Sequence, residues 1–389
     1  MPRRLASKCL YGEEEDLGNA DCYHAISYPI FQTAMFAHTE CGQEEPYDYT
    51  RLNNPTRSKV EKVVCALENG YDTIAFSSGM AAIAALMEWF RPGDHILSGC
   101  DLYGGTIRLF RRINEKNGLV FDYLDTSAEE IDSYITPDTK AVYLETPTNP
   151  MMKVTDIRKV ADKAHKYGIK VIVDNTFLSP YFQNPLDLGA DVVIHSGTKY
   201  LCGHNDTIGG FLVSGSRETA EDMRELFKVT GSALAPFDSW LILRGIKTLS
   251  VRMERAQENA KKIVNWLVQN QKVKKVFYPG IENDPGYEIA RKQARGFGCM
   301  ITFEVESAEL ALTVLNSVKF IHFAESLGGV ETLVTYPMTQ THAEVPKEER
   351  EKNGITDKII RMSVGIEDAE DILEDLEQAF EQYEKKGSQ

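Results

Sequence analysis

The sequence predicts an α/β protein with a mostly parallel, doubly covered sheet, followed by a smaller α+β C-terminal domain. Three observations support this prediction. Between residues 60 and 200, short apolar runs alternate with helical patterns, which is typical of a parallel sheet with helices on both faces. After about residue 245 the pattern changes to longer amphipathic segments. The 389 residues, 42% of them hydrophobic, are enough for two globular domains of this kind.

The predicted strands of the parallel sheet are short apolar runs. In chain order they are DTIAF, DHILS, LVFDYLD, AVYLE, KVIVDN and DVVIHS. Helical segments, GMAAIAALMEWF and GGTIRLFRRINEKNG, follow the first two. Between AVYLE and KVIVDN, apolar residues from Ile157 to Ala164 recur at helical spacing, with Thr155 as the predicted N-cap and Gly168 as the residue that ends the helix.

The change of pattern divides the chain into three predicted segments. Residues 1–50 lack clear periodicity and contain many aromatic and turn residues, which is typical of an arm that contacts a neighbouring subunit. Residues 51–245 form the predicted α/β domain. Residues 246–389 form the predicted α+β domain, with LSVRMERAQENAKKIVNWL and EDILEDLEQAFEQYEKK as helices and CMITFEV as a strand.

Composition limits the classes of partner. The formal net charge of -15 argues against a general affinity for nucleic acid or for an anionic membrane. Seven cysteines without a C-x-x-C pair argue against a secreted disulfide framework. No apolar run is long enough to span a bilayer, and no apolar signal core follows the basic residues at the start. We expect a cytoplasmic protein that binds small molecules and copies of itself.

Ligands of an open α/β sheet bind at the carboxyl ends of its strands. The segments at these ends are SSGMAA, ETPTNP, DNTF and HSGTK. SSGMAA begins a predicted helix, and the N-H groups of a helix start suit a phosphate. Lys199, in HSGTKYLCGH, directly follows an apolar strand. Such a lysine extends its amine to water, binds an anion, or has a lowered pKa that suits covalent chemistry.

Each segment alone has an ordinary explanation, because Ser-Gly-Met before a helix is commonly an N-cap and Asp174 could simply begin a turn. Together the segments bring chemically complementary groups to one edge of the sheet. These groups are Gly79, Met80, Tyr103, Asn149, Asp174, Ser196, Thr198 and Lys199. The set suits a phosphorylated aromatic cofactor that a lysine binds covalently and whose ring nitrogen a carboxylate holds, which describes pyridoxal 5'-phosphate.

The motifs of the chain resemble those of the Cys/Met metabolism (trans-sulfuration) family of pyridoxal phosphate enzymes. In chain order they are YTRLNNPTR, SSGMAA, DLYGG, ETPTNP, VDNTF, SGTKYLCGHND, RGIKTLSVRM, AESLGGVETL, THAEVP and RMSVGIED. The resemblance covers nearly the whole chain. It implies the fold-type I scaffold, with cofactor binding in the 51–245 domain, and it is greatest to cystathionine gamma-lyases and gamma-synthases.

The resemblance also implies a role for each site residue. Lys199 binds the cofactor covalently and later moves protons between substrate carbons, Asp174 holds the pyridine nitrogen, and Tyr103 stacks on the ring. The implied phosphate ligands from the same subunit are Gly79, Met80, Ser196 and Thr198. Those for the neighbouring subunit's cofactor are Tyr49 and Arg51, and with them we predict a homotetramer built from two active dimers. The implied ligands of the substrate α-carboxylate are Asn149, Ser326 and Arg361.

Members of the family differ in the bond that they break and in the group that they add. Methionine gamma-lyases have a cysteine at the position that resembles Gly105, which argues against that activity. Glu325 resembles the glutamate of cystathionine gamma-lyases and gamma-synthases. Leu52 departs from the arginine of some gamma-synthases, and Arg108 is the alternative positive charge for a distal carboxylate. We expect a carbon-sulfur lyase acting on cystathionine or a related sulfur amino acid, with γ-elimination favoured over β-elimination. The alternatives are cystathionine gamma-synthase and methionine gamma-lyase.

Other classes of site stay open at the level of sequence. His195, Cys202 and His204 have metal-binding side chains, but a zinc site needs three or four ligands and supporting hydrogen bonds, and we predict no metal. An aldolase or decarboxylase that forms a Schiff base through Lys199 would leave Asp174 and the phosphate ligands unexplained. A catalytically silent protein would be expected to lack a residue such as Tyr103, and none of this set is missing.

Overall fold

A computed structural model describes residues 3–13, 22–127, 130–343 and 345–387. The predicted N-terminal arm, residues 1–50, therefore lies partly outside the described residues. So do the last two residues of the predicted C-terminal domain. None of the helices within the described ranges combines the length and the apolar character that crossing a membrane requires.

A seven-stranded sheet forms the centre of the larger unit. Its strands are β1 (Asp72–Phe76), β2 (His95–Gly99), β3 (Val120–Leu124), β4 (Thr139–Glu145), β5 (Lys170–Asp174), β6 (Val192–Ser196) and β7 (Gly210–Ser214). They lie in the order β1-β7-β6-β5-β4-β2-β3. All neighbouring pairs are parallel except those of β7, which is antiparallel to β1 and to β6. The six predicted strands are confirmed, and β7 was not predicted.

Helices cover both faces of this sheet. They are α1 (Leu5–Tyr11), α2 (Pro55–Glu68), α3 (Gly79–Met87), α4 (Gly104–Leu109), α5 (Ile157–Ala164), α6 (Ser179–Phe182), α7 (Arg217–Thr230) and α8 (Pro236–Ile246). Val171 and Val173 of β5 are buried in the core on one face, and Ile172 between them is buried in the core on the other. This alternation confirms the doubly covered sheet, because a strand with one solvated face would alternate apolar and polar residues.

Two local predictions differ from the structure. The segment GGTIRLFRRINEKNG is not one α-helix, since α4 ends at Leu109 and a π-helical turn, Phe110–Asn114, follows. The predicted N-cap Thr155 is wrong by one residue, because Asp156 accepts the capping hydrogen bond from the Lys159 N-H. The Thr155 hydroxyl instead bonds Thr126 at 2.9 Å. Gly168, at φ 71°, does end this helical region.

The smaller unit is an α+β arrangement, as predicted. Its helices are α9 (Leu249–Gln269), α10 (Tyr287–Gln293), α11 (Ala308–Ser317), α12 (Lys347–Lys352) and α13 (Ala369–Gly387). Its strands are β8 (Val273–Phe277), β9 (Met300–Val305), β10 (His322–Phe323), β11 (Leu333–Thr335) and β12 (Ile359–Ser363), in the order β10-β11-β12-β9-β8. Helices α9, α11 and α13 bury a separate core against this sheet. The boundaries at residues 50 and 245 stay predictions.

The two units meet at the carboxyl ends of the parallel strands. Arg361 of β12 donates a hydrogen bond to the side-chain oxygen of Asn149, in the segment after β4, at 2.9 Å. The Lys199 amine, after β6, donates to the Ser326 hydroxyl of the smaller unit at 2.9 Å. Residues from both units therefore enclose one site.

Candidate active site

A cavity of about 240 Å³ lies at this junction, which is room for a small molecule and not for a macromolecular segment. All the predicted site residues line it except Tyr49, Arg51 and Arg108. Those that line it are Gly79, Met80, Tyr103, Asn149, Asp174, Ser196, Thr198, Lys199, Glu325, Ser326 and Arg361. The strand ends and the smaller unit thus bring together residues that are far apart in sequence.

The Lys199 amine is the nucleophilic group of the cavity. Burial, followed by the positive charge of Arg361, lowers its pKa to about 8, although the carboxylate of Glu325 opposes this shift. An amine with this pKa is neutral in an appreciable fraction of molecules near neutral pH. Lys199 can therefore act as a nucleophile or as a base, which an ordinary lysine cannot do under the same conditions.

Arg361 is a buried cation with a free capacity to bind an anion. Its guanidinium donates to the Asn149 side chain, to the Ser326 carbonyl at 3.0 Å and to the Thr335 hydroxyl at 3.2 Å. Burial lowers the pKa of Arg361 to about 10, which leaves it charged at neutral pH. All three acceptors are neutral, and no carboxylate among the described residues forms an ion pair with it. A substrate carboxylate would supply the missing counter-charge.

Two carboxyl groups end adjacent strands of the sheet. Glu145 of β4 and Asp174 of β5 are paired in register. Asp174 accepts hydrogen bonds from the Thr176 backbone N-H at 3.0 Å and from its hydroxyl at 2.6 Å. Burial raises the pKa of Asp174, and these hydrogen bonds and the charge of His195 oppose the rise. A carboxylate in this position suits a protonated ring nitrogen.

Tyr103 precedes α4 and presents its ring to the cavity. The ring position depends on Gly105, because a Cβ there would lie 2.4 Å from Tyr103 Cε1 and 3.1 Å from the sulfur of Met80. Tyr103 is 38% exposed, so part of its ring surface is open for stacking. Burial and the negative charge of Glu325 raise the pKa of Tyr103, which keeps the phenol neutral.

A helix start and two hydroxyl groups form a cradle for an anion. Gly79 and Met80 are the first residues of α3, where backbone N-H groups have no partner within the helix. A Cβ on Gly79 would lie 3.1 Å from the Cβ of Ser196, so glycine allows the helix start and Ser196 to approach closely. The Thr198 hydroxyl, which exchanges hydrogen bonds with Gly209, completes this side of the cavity. The geometry suits a phosphate.

The family model of the Cys/Met metabolism PLP-dependent enzymes matches residues 13–381 of the chain. The chain belongs to this family. The predicted family and fold class are thus confirmed. Pyridoxal phosphate is the cofactor of the Cys/Met metabolism enzymes, and amino acids are their substrates. The residues described above fit this cofactor, because the cavity holds a lysine, a carboxylate, an aromatic ring and an anion cradle on one edge of the sheet.

Three known members of the family illustrate the similarity. Cystathionine gamma-lyase of Bacillus subtilis (strain 168) is 49% identical over 358 residues, which cover 92% of this chain and 94% of that protein. Cystathionine beta-lyase of Lactococcus lactis subsp. cremoris is 46% identical with the same coverage. The structure of cystathionine gamma synthase from Xanthomonas oryzae pv. oryzae with cystathionine matches with a TM-score of 0.95 and 37% identity, over 99% of this chain and all of that chain.

Three predicted site residues lie outside the cavity. Tyr49 is 40% exposed, and the Arg51 guanidinium lies over its ring while donating to the Lys228 carbonyl at 2.7 Å. Arg108 of α4 lines a neighbouring depression together with Arg111 and Arg112. It is close enough to Tyr103 for its charge to affect the phenol. The roles predicted for these residues in the Cys/Met metabolism family stay predictions.

The side chains of His195, Cys202 and His204, which could bind a metal, form hydrogen bonds to other protein groups and do not converge on one point. His195 bonds the buried Glu68 carboxylate at 2.6 Å. The Cys202 thiol bonds Asp206 at 3.1 Å, and His204 bonds the Cys202 carbonyl at 2.7 Å. Within the described parts of the chain, no three His, Cys, Asp or Glu residues are placed to hold a metal ion.

Sequence reasoning missed two residues of the site. Glu145 lines the cavity and accepts a hydrogen bond from the Tyr103 backbone N-H at 2.9 Å. His342 is buried behind the cavity wall, 3.3 Å from the Leu102 carbonyl, and burial lowers its pKa to about 4. Glu145 could have been found from its place at the end of the apolar run AVYLE. His342 belongs to the motif THAEVP, but its burial beside the Leu102 carbonyl depends on long-range contacts.

Proposed function

We propose that this enzyme is a cystathionine lyase whose main reaction is elimination at the γ carbon. Cystathionine is an amino acid with a second amino acid head beyond its sulfur atom. A lyase for it needs a site for the first head, a base beside the α carbon and room for the second head. The proposal is supported by the similarity to a gamma-lyase at 49% identity and by the shape of the cavity.

The observation that most supports cystathionine as the substrate is an acidic extension of the cavity. Beyond Lys199 the cavity continues into an open depression, and the two share Thr198, Ile208, Glu325 and Ser326. Two further carboxylates, those of Asp206 and Glu331, line the depression. The distal ammonium of cystathionine would bind there, while its first carboxylate binds Arg361. Cysteine and methionine have no distal charge for this region.

We assign the residues of the cavity to the following roles. Arg361 and Asn149 hold the α-carboxylate, and Ser326 orients the Lys199 amine beside them. Asp174 holds the ring nitrogen of the cofactor, and Tyr103 covers the ring. Gly79, Met80, Ser196 and Thr198 hold its phosphate. These assignments are supported by the shared cavity and by the hydrogen bonds given above.

When bound, pyridoxal phosphate supplies an electron sink that stabilises negative charge at the substrate α carbon. The Lys199 amine removes the α proton and can return a proton to a neighbouring carbon, because its lowered pKa permits both states near neutral pH. Ser326 keeps this amine close to Arg361, so that the base lies beside the carbon whose carboxylate Arg361 holds.

Product analysis with L-cystathionine tests the proposal. Elimination at the γ carbon gives cysteine, 2-oxobutanoate and ammonia, whereas elimination at the β carbon gives homocysteine, pyruvate and ammonia. We expect 2-oxobutanoate as the main keto acid. Mainly pyruvate would identify a beta-lyase. Cystathionine formed from an O-acylhomoserine and cysteine, with no keto acid from cystathionine, would favour a gamma-synthase, the second candidate, to which the chain is also similar.

We also propose a homotetramer of two active dimers, in which Tyr49 and Arg51 reach the neighbouring subunit's phosphate. Exposed apolar side chains near the N-terminus support an intersubunit surface, since Tyr23, Ile26 and Met35 are 97%, 96% and 73% exposed. We propose a cytoplasmic location as well. The seven cysteines are all free thiols, as is usual in a reducing compartment.

A further inference from the structure

Glu145 is a buried acid beside a second buried acid, and the roles assigned so far do not use it. Glu145 and Asp174 are paired in register at adjacent strand ends and are 6% and 8% exposed. Both line the cavity. No cationic side chain within the described residues forms an ion pair with either. Two negative charges so close together in a dry site repel, so one of the pair keeps its proton.

Hydrogen bonds decide which carboxyl is charged. Asp174 accepts two from Thr176, and both stabilise its anion. Glu145 accepts one, from the Tyr103 N-H. A protonated carboxyl group keeps one oxygen that accepts a hydrogen bond, so this contact does not require a charge on Glu145. The proton therefore belongs on Glu145.

The charged groups around Glu145 agree with this assignment. Asp174 of β5 and Asp101, which follows β2, disfavour a negative charge on it, and Arg361 of β12 favours one. Arg361 makes its hydrogen bonds to Asn149, Ser326 and Thr335 and none to Glu145. Burial, followed by the charge of Asp174, raises the pKa of Glu145 well above its usual range.

The hydrogen bond to Glu145 also fixes the start of α4. Tyr103 precedes this helix, and Gly104 is packed so tightly that a Cβ on it would lie 2.2 Å from the Thr341 carbonyl oxygen. The contact from Tyr103 N to Glu145 Oε2 ties this segment to the end of β4. This hydrogen bond thereby fixes the position of the Tyr103 ring relative to the end of β4.

We propose that Glu145 is a positioning residue that retains its proton, fixes the backbone of Tyr103 and leaves Asp174 as the single anion beside the cofactor ring. This inference rests on the proposed placement of the cofactor between Tyr103 and Asp174. It does not depend on which sulfur amino acid is cleaved. The Glu145→Gln side chain has the same shape, no charge and an oxygen that can accept the same hydrogen bond.

The test compares Glu145→Gln and Glu145→Ala in the purified holoenzyme, with the exposed Glu88→Gln as a matched control. Two measurements are made without substrate: the release of pyridoxal phosphate on dilution, and the pH midpoint of its visible absorption. We expect Glu145→Gln to match the control in both. Glu145→Ala should release the cofactor about tenfold faster or more, because the Tyr103 N-H loses its acceptor. If the alanine variant does not fold, Glu145→Asp, whose side chain is too short, should show the same fast release.

Two results would overturn the inference. If Glu145 were ionised, the glutamine variant would lose a negative charge near the cofactor, and the pH midpoint would fall by about one unit or more. If Glu145→Ala or Glu145→Asp released pyridoxal phosphate as slowly as the control, Glu145 would not hold Tyr103. Because no substrate is used, a failure to cleave cystathionine would contradict the proposed function and leave these measurements valid.

Discussion

Ser326 holds the Lys199 amine from a backbone conformation that serine rarely adopts. Its hydroxyl accepts a hydrogen bond from Lys199 Nζ at 2.9 Å, while its φ angle is 126°. Its carbonyl accepts from Arg361 in the same conformation. A non-glycine residue in this region costs about 1 to 3 kcal/mol, and such costs are found where a precise arrangement serves function. Ser326 links Lys199, the proposed base, to Arg361, the proposed ligand of the substrate carboxylate.

Ser326→Ala and Ser326→Gly separate the hydroxyl from the backbone conformation. Both remove the acceptor for Lys199, so kcat/KM for cystathionine should fall about tenfold in each. Only glycine relieves the unfavourable φ. Its larger conformational entropy in the unfolded state offsets part of this gain, so the glycine variant should be about 1 kcal/mol more stable than the alanine variant in urea unfolding. Equal stability of the two would show that position 326 is not strained.

The pH dependence of turnover should follow the Lys199 amine. Its pKa of about 8 predicts that kcat rises as pH increases through this value, because the neutral amine accepts the substrate proton. The carboxylate of Glu325 raises this pKa, so Glu325→Gln should move the rising limb to lower pH. The shift should stay below about one unit, since solvent screens the exposed Glu325. The exposed Glu88→Gln serves as the control, and a rising limb that moves to higher pH in Glu325→Gln would contradict the assignment.

Replacing Glu325 or Arg108 should change which substrate the enzyme prefers and should have little effect on cofactor binding. Glu325 borders the cavity and its acidic extension, whereas Arg108 lines a separate depression next to Tyr103. Loss of a charge-assisted contact should cost about 1.5 to 3 kcal/mol, or roughly a tenfold to hundredfold fall in kcat/KM for cystathionine. Cysteine should be little affected. Equal losses for cystathionine, cysteine and an O-acylhomoserine in Glu325→Ala or Arg108→Ala would reject a distal role for that residue.

Mixing two inactive variants tests the shared site. If Arg51 serves the neighbouring subunit, a dimer of one Lys199→Ala chain and one Arg51→Ala chain contains one site with both residues intact. Some activity should therefore return on mixing, up to about a quarter of wild type for random pairing of equal amounts. Lys199→Ala mixed with Asp174→Ala is the control and should restore no activity, because both residues belong to the same chain's site. If mass spectrometry confirms that the subunits exchange and no activity returns, Arg51 belongs to its own chain's site.

Local patterns were sufficient to predict the parallel strands and the residues at their ends. Apart from β3 at the sheet edge, these strands are apolar runs with both faces buried, and the carboxyl ends of parallel strands lie on one edge by topology. The sequence alone therefore predicts that Asp174 and Lys199 lie close together. Strand β7 was not predicted, because residues 197–209 separate the short run GFLVS from β6 and its antiparallel pairing with β1 and β6 depends on long-range contacts.

The features of the site that the sequence did not predict are contacts between segments far apart in the chain. The hydrogen bond from Tyr103 to Glu145 joins the start of a helix to the end of another strand, and no spacing in the sequence encodes it. The same holds for the contact between Lys199 and Ser326, which lie 127 residues apart. Arg361 was recognised through family motifs, but its complete burial among neutral acceptors is a property of the packed structure.

The most direct test asks which lysine binds the cofactor. Borohydride treatment of the yellow holoenzyme fixes a lysine-bound cofactor permanently, and peptide mass analysis then locates it. We predict one modified peptide, with the label on Lys199 in HSGTKY, and no visible absorption band of bound cofactor in Lys199→Ala, whereas the exposed Lys166→Ala keeps the band. A label on another lysine, or a Lys199→Ala variant that keeps the band and cleaves cystathionine, would contradict the assignment of Lys199 and the site built around it.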